Sequence, residues 1–333
     1  MRILSILLVI GCFNFGTLIL ARFVRAMAYC LTNVCLSPFL TASIPKTEQK
    51  GEIFSHIDGK GYSKYCYIAA ISKVLSGYLF TINPYIPLIL CLVALTFATI
   101  VAYNFIEIEE YTEEKVEKIT FQENLKNIKE GLHIIFKSPR LKALMLMLGT
   151  IWGLLNLLDT YQTTLLKNLE ISATYIGIIA AAVQMITGFT SKKANEYNNK
   201  FKNKSLTILG IAITIGAMII GATTILNIPL WLQLIIIITA FCIRHACKGV
   251  FQIIKKRYLG NFASNEILPK IYSSNEIICN LMKAIIGYIG SAILLVMDIR
   301  KGTLVIGGLF LIVVILISIY MRTRVGIEMK EEK

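Results

Sequence analysis

Between Glu107 and Lys142 the chain reads EIEEYTEEKVEKITFQENLKNIKEGLHIIFKSPRLK, a run crowded with both signs of charge inside a sequence that is otherwise apolar. No part of it can cross a bilayer, whereas segments on both sides can. Ahead of it lie apolar stretches at 16–43, 66–82 and 86–106, with a shorter piece at 3–15. Behind it lie 143–166, 173–190, 205–226, 229–251, 273–297 and 303–321. The run therefore divides about four membrane-length segments from six. This arrangement predicts an all-α polytopic membrane protein with two helical bundles and a parallel pseudo-repeat, the N-terminal bundle being incomplete. The expected parts are a partial N-terminal bundle over 1–106, a cytoplasmic loop with an amphipathic helix over 107–142, a six-helix bundle over 143–322 and a cytoplasmic tail over 323–333.

Composition supports lipid as the main solvent. Hydrophobic residues are 56% of 333 positions and charged residues 16%, more apolar surface than a soluble domain of this length can bury. The formal net charge of +14 sits in short loops between apolar runs, which reads as membrane orientation and not as nucleic-acid binding. The eight cysteines all fall within or beside apolar runs, so no disulfide framework is indicated. Cys242, His245 and Cys247 have metal-ligating side chains, but offsets of three and five point in different directions on a helix. No metal or cofactor is expected. Val9-Ile10-Gly11-Cys12 looks like a lipoprotein processing site, yet the apolar run continues through it to Phe23, against a cleaved signal.

Alternate loops set the sidedness. One set carries Lys46, Lys50, Lys60 and Lys64, the central run, the lysines from Lys192 to Lys204, Lys255 to Arg257 with Lys270, and the basic C-terminus. The other set carries Lys167, Arg300 and Lys301. The bias places the central run and the C-terminus in the cytoplasm of a plasma-membrane protein. Within the run, Thr120-Phe121-Gln122-Glu123 is a capping-box pattern, followed by Phe121, Leu125, Ile128, Leu132 and Ile135 at helical spacing. An amphipathic helix on the cytoplasmic face, closed by Pro139, is expected there. Asn83-Pro84, Asn227-Ile228-Pro229 and Arg300-Lys301-Gly302 mark turns between spans. The first stretch allows two helices over 3–22 and 25–43, or a turn at Cys12 to Gly16 between a stub and a longer helix.

Two spans on opposite sides of the run share a pattern. Lys73-Val74-Leu75-Ser76-Gly77-Tyr78 matches Lys283-Ala284-Ile285-Ile286-Gly287-Tyr288, and each follows a span carrying an arginine, Arg22 or Arg244. With this order of spans, Leu18 to Ala28 (LILARFVRAMA) resembles the fourth-helix motif of the major facilitator superfamily, whose members join two six-helix bundles by a cytoplasmic loop. Arg22 stands at the motif arginine, which the resemblance links to proton coupling. Arg25-Ala26 and Ala28 replace the motif's glutamine-glycine pair and its second glycine. The basic loop between the family's second and third helices has no counterpart, and its equivalent in the other half, Gly188 to Ala194, is degenerate. Ser72-Lys73 stands where antiporters carry Gly-Pro. The resemblance implies a monomer moving a small solute, with protons as coupling ion and efflux as direction, and a sequence that lacks the first two helices and part of the third.

Charge within a span costs roughly 2.5–3.5 kcal/mol at a helix centre, so each case asks for a reason. Glu276, Asn280, Lys283 and Gly287 share one helical face, where the acid and the lysine can bind solute or pair with each other. Lys73, Arg22 and Arg25 are further pathway candidates, and Asn33 extends the face of Arg25. Asn156 and Gln184 complete the set. Asp159 and Trp152 read as a helix cap and an interfacial anchor. Arg244 and Lys248 lie one turn apart near the expected inner end of their span, where topology and anion binding compete for them. Two rivals to a secondary transporter remain: a non-functional remnant, whose opened bundle loses its cavity wall, and a polytopic membrane enzyme. The second lacks an Asp-rich loop, a His pair or a nucleophile motif at a membrane face.

Overall fold

The computed structural model describes residues 1–12, 14–42, 50–104, 121–223, 228–261 and 268–325. The helices are α1 (Arg2–Ile10), α2 (Phe15–Ala42), α3 (Lys50–Ile82), α4 (Ile86–Tyr103), α5 (Phe121–Lys137) and α6 (Pro139–Asn168). They continue as α7 (Ala173–Lys192), α8 (Ala194–Phe201), α9 (Ser205–Ala222), α10 (Leu230–Asn261), α11 (Leu268–Val296) and α12 (Ile299–Val325). No strand occurs among the described residues, and eight of the helical segments are long and apolar enough to span a bilayer. The protein is all-α and polytopic, as its sequence predicts.

Local signals set several ends. Ser138 caps α6 by accepting from the Leu141 N–H at 3.4 Å, with Pro139 at the first helical position. At the other end of α6 the Glu170 N–H donates to Lys167 O at 2.9 Å and the Ile171 N–H to Leu166 O at 3.2 Å, a Schellman closure. That closure holds Glu170 at φ 58°, a left-handed backbone that favours glycine. Glu170→Gly should therefore raise stability by about 1 kcal/mol, read as a higher unfolding midpoint in detergent.

Three boundaries differ from the sequence reading, and the structure chooses between the alternatives at a fourth. α1 ends at Ile10 and α2 begins at Phe15, which selects the stub-and-long-helix alternative. α3 begins at Lys50 instead of near residue 66, because a polar helical stretch continues the apolar one. α10 runs to Asn261, so Arg244 lies near its middle and not near one end. Arg300-Lys301-Gly302 is not a turn but the first turn of α12, and Asp298 precedes it, accepting from the Arg300 N–H at 3.1 Å. Residues 105–120, with Thr120 of the capping box, lie outside the described residues, as do Asn227 and the tail from 326. α5 does more than lie on a surface. It packs on the start of α11, with Ile135 buried, Ser274 Oγ donating to Ile128 O at 3.5 Å and Lys270 pairing with Glu130 at 2.6 Å.

α6 is the hub of the second half. Leu144, Met147, Leu148, Ile151, Leu154 and Leu155 are fully buried along it, against α9, α11 and α12. α4 has no buried residue, and an apolar helix exposed all round belongs against lipid. The join between helices before and after the central run is α3 on α7. Small residues let those backbones meet: a Cβ on Gly177 would lie 2.9 Å from Lys73 O and 3.2 Å from the Gly77 Cα. The two copies of the repeat thus differ in setting, since Gly77 is pressed on α7 while a Cβ on Gly287 would meet open space.

Candidate functional site

Four helices bring polar side chains to one place. Asp159 and Gln162 are three apart on α6 and share a face; Arg244, His245 and Lys248 stand at mid-length on α10. α7 adds Gln184 and Thr187, and α3 adds Cys66 and Lys73. Arg244 Nη1 lies 3.2 Å from Asp159 Oδ1, and Lys248 Nζ pairs with Asp159 Oδ2. Arg244 Nη2 donates to Gln162 Oε1 and lies 2.8 Å from His245 Nε2. His245 Nε2 also lies 3.1 Å from Gln162 Oε1, and its Nδ1 lies 2.9 Å from Thr187 Oγ1. Thr187 Oγ1 in turn donates to Val183 O at 3.1 Å. On the α3 side, Lys73 Nζ donates to Gln184 Oε1 at 2.8 Å and Gln184 Nε2 donates to Cys66 Sγ at 3.2 Å.

Arg244 is only 3% exposed, and charge at that depth requires compensation. Asp159 supplies part of it and the Phe241 ring, 5.4 Å below the guanidinium, a little more. Arg244 Nε has no hydrogen-bond partner among the described residues, and Nη1 meets Asp159 without hydrogen-bond geometry. The Asp159 and Lys248 side chains keep 30% and 18% of their surface, so the cluster is reachable from an open side. Chemically it can hold an anion, exchange an ion-pair partner, or take a proton on one carboxylate. Two further pairs flank it on α10. Lys255 meets Glu276 of α11 at 2.7 Å with its ammonium 5.4 Å from the centre of the Trp152 ring, and Lys256 meets Asp58 of α3 at 2.7 Å.

Of the nine candidate residues, the structure brings together Lys73 and Gln184. Arg22 and Arg25 are exposed on α2, with no ion pair among the described residues, and the Asn33 side chain lies outside them. Asn156 bonds back within α6, its Nδ2 donating to Trp152 O at 2.8 Å. Glu276 pairs with Lys255 and not with Lys283; Asn280 and Lys283 are exposed on α11.

Asp159 is no helix cap, since it lies inside α6 and faces two cations of α10. Trp152 packs half-buried against the core and carries Lys255 over its ring. Asp159, Gln162, Thr187, Arg244, His245 and Lys248 are the residues that sequence reasoning did not select. The signal was present in two spacings, Asp159 with Gln162 and Arg244 with Lys248, each placing polar groups on one face of an apolar helix. His245 and Thr187 gave no comparable sign.

A family model described as Major Facilitator Superfamily matches residues 1–246, which takes in α1 to the middle of α10 with Arg244 and His245. No curated protein matches the chain.

Proposed function

The chain belongs to the major facilitator superfamily, a family of membrane transporters, and on that premise we propose a secondary active transporter that moves a small solute by alternating access. The observation that carries this reading is the charged cluster where α3, from before the central run, meets α6, α7 and α10, from after it. A polar site between two groups of helices is where rocking of one against the other exposes solute to each side in turn. Asp159 is the carboxylate that takes the coupling proton, with Arg244, Lys248, His245 and Lys73 around it as the groups that feel the change. The protein acts as a monomer in the plasma membrane, with its C-terminus in the cytoplasm and export as its direction; the excess of lysine and arginine in one set of loops supports that orientation.

Flux through purified protein in vesicles tests the reading. A broad solute panel under an imposed pH gradient should give gradient-driven movement that Asp159→Asn uncouples. Failure of every solute to move would overturn the proposal. The closed side of the transporter is latched by the Asp58–Lys256 pair, which joins α3 to α10. Asp58→Asn removes an ion pair worth about 1 kcal/mol and shifts the balance toward separation of α3 from α7 and α10. Cys66 is fully buried at that seam and reports it. With the other cysteines replaced by serine, Cys66 alkylation should speed up about fivefold in Asp58→Asn; an unchanged rate counts against a moving seam.

A second reading is a folded chain that does not transport. Its motivation is the polar side chains that the described helices leave uncovered: Arg22 and Arg25 on α2, and Asn280 and Lys283 on α11. The same flux assay separates the two.

A further inference from the structure

Resting on the transporter reading above, we infer that the solute is a small organic dianion with its two negative charges set about one helical turn apart, a dicarboxylate. The first argument is charge balance. Arg244, Lys248 and Lys73 converge on the cluster, and Asp159 is the single carboxylate among them. α7 and α10 contain no acidic residue, and α6 contains only Asp159. On α3, Asp58 is held by Lys256, while Glu52 lies at the helix start with its side chain outside the described residues. Glu276 of α11 is held by Lys255. Three cations facing one acid leave an excess positive charge at span depth, where uncompensated charge is expensive.

The second argument is the unmet donors. Arg244, 97% removed from solvent, has no hydrogen-bond partner for Nε among the described residues, and its Nη1 meets Asp159 Oδ1 at 3.2 Å without hydrogen-bond geometry. Buried donors in that state have a partner to find, and the partner of an arginine fork is a carboxylate or phosphate oxygen. Lys73 has only the neutral Gln184 amide as its described acceptor. The third argument is spacing. His245, against Arg244, touches Thr187, and Thr187 stands three residues from Gln184, which holds Lys73. Three residues rise about 4.5 Å along a helix, so the α7 residues through which the two positive centres are held stand about one turn apart. One end of the solute takes Arg244 and Lys248, displacing Asp159, and the other takes Lys73 and Gln184.

Binding to the purified full chain in detergent, by calorimetry, tests this independently of flux. The probes are succinate, glycerol 3-phosphate, lactate, glycerol and choline. Succinate should bind, lactate and glycerol 3-phosphate, each charged at one end only, about tenfold more weakly, glycerol and choline not at all. Glycerol 3-phosphate binding as tightly as succinate overturns the spacing argument. Lys73→Gln should erase the preference for dianion over lactate while lactate still binds, which loss of fold would not do. Asp159→Asn, removing the internal competitor, should tighten dianion binding about tenfold. Binding of choline or glycerol in preference to the anions, or no anion binding in the wild type and Asp159→Asn, overturns the inference. Movement of a neutral solute in vesicles without anion binding sinks the substrate class and leaves the transporter; anion binding without flux does the reverse.

Discussion

Arg244→Gln is expected to reduce initial transport rate by about 100-fold and stability by about 3 kcal/mol. Both follow from its position. The side chain is buried at mid-length on α10 and faces Asp159 and Gln162 of α6, so its loss strips one cation from a carboxylate at span depth. Lys248 stays on Asp159 Oδ2, which keeps the penalty at the lower end of the range for a broken buried pair. Arg244→Lys keeps the charge but not the fork, and should recover stability more than rate. The decisive comparison is Asp159→Asn with Arg244→Gln. If the two groups act as a pair, the double variant is more stable than the sum of the single effects allows, by about 1 kcal/mol or more. Additive losses, measured by unfolding in detergent, would show that the pair does not hold α6 to α10.

Gly249→Ala is expected to cost about 3 kcal/mol of stability, with transport lost alongside. A methyl there would fall inside contact distance of Thr187 O and Thr190 Oγ1, and 3.1 Å from the Ser191 N. Two of those three are backbone atoms of α7, which cannot rotate away. α7 and α10 must separate, and the Thr187–His245 contact at 2.9 Å opens with them. Gly308→Ala makes the control, because a Cβ at that position meets nothing within 4 Å. Equal stability of the two variants in a melting series would sink the argument from close approach.

The residues that were legible beforehand and those that were not differ in kind. The six spans after Lys142 and the order of those before Glu107 follow from runs of apolar side chains, a property of each segment alone. The length of α10 was misjudged because Lys255, Lys256 and Arg257 read as a loop, whereas the helix carries Lys255 and Lys256 onto acids of α11 and α3. Glu276 and Lys283 share a face in sequence, yet only Glu276 faces a partner helix. Asp159 read as a cap because nothing within fifty residues of it shows a matching cation at the same depth; its partners are 85 and 89 positions away.

The sequence by itself determined a membrane-spanning helical chain, its charged divider and its sidedness pattern, since hydropathy and loop charge act locally through the solvent each segment requires. Only the tertiary structure decided which charges share a site. Pairing depends on the rotation and depth at which α3, α6, α7 and α10 pack, and glycines at Gly77, Gly177 and Gly249 let the backbones of α3, α7 and α10 meet. A lone acid in one span and an arginine in another have many possible partners. Packing leaves Asp159 with Arg244 and Lys248.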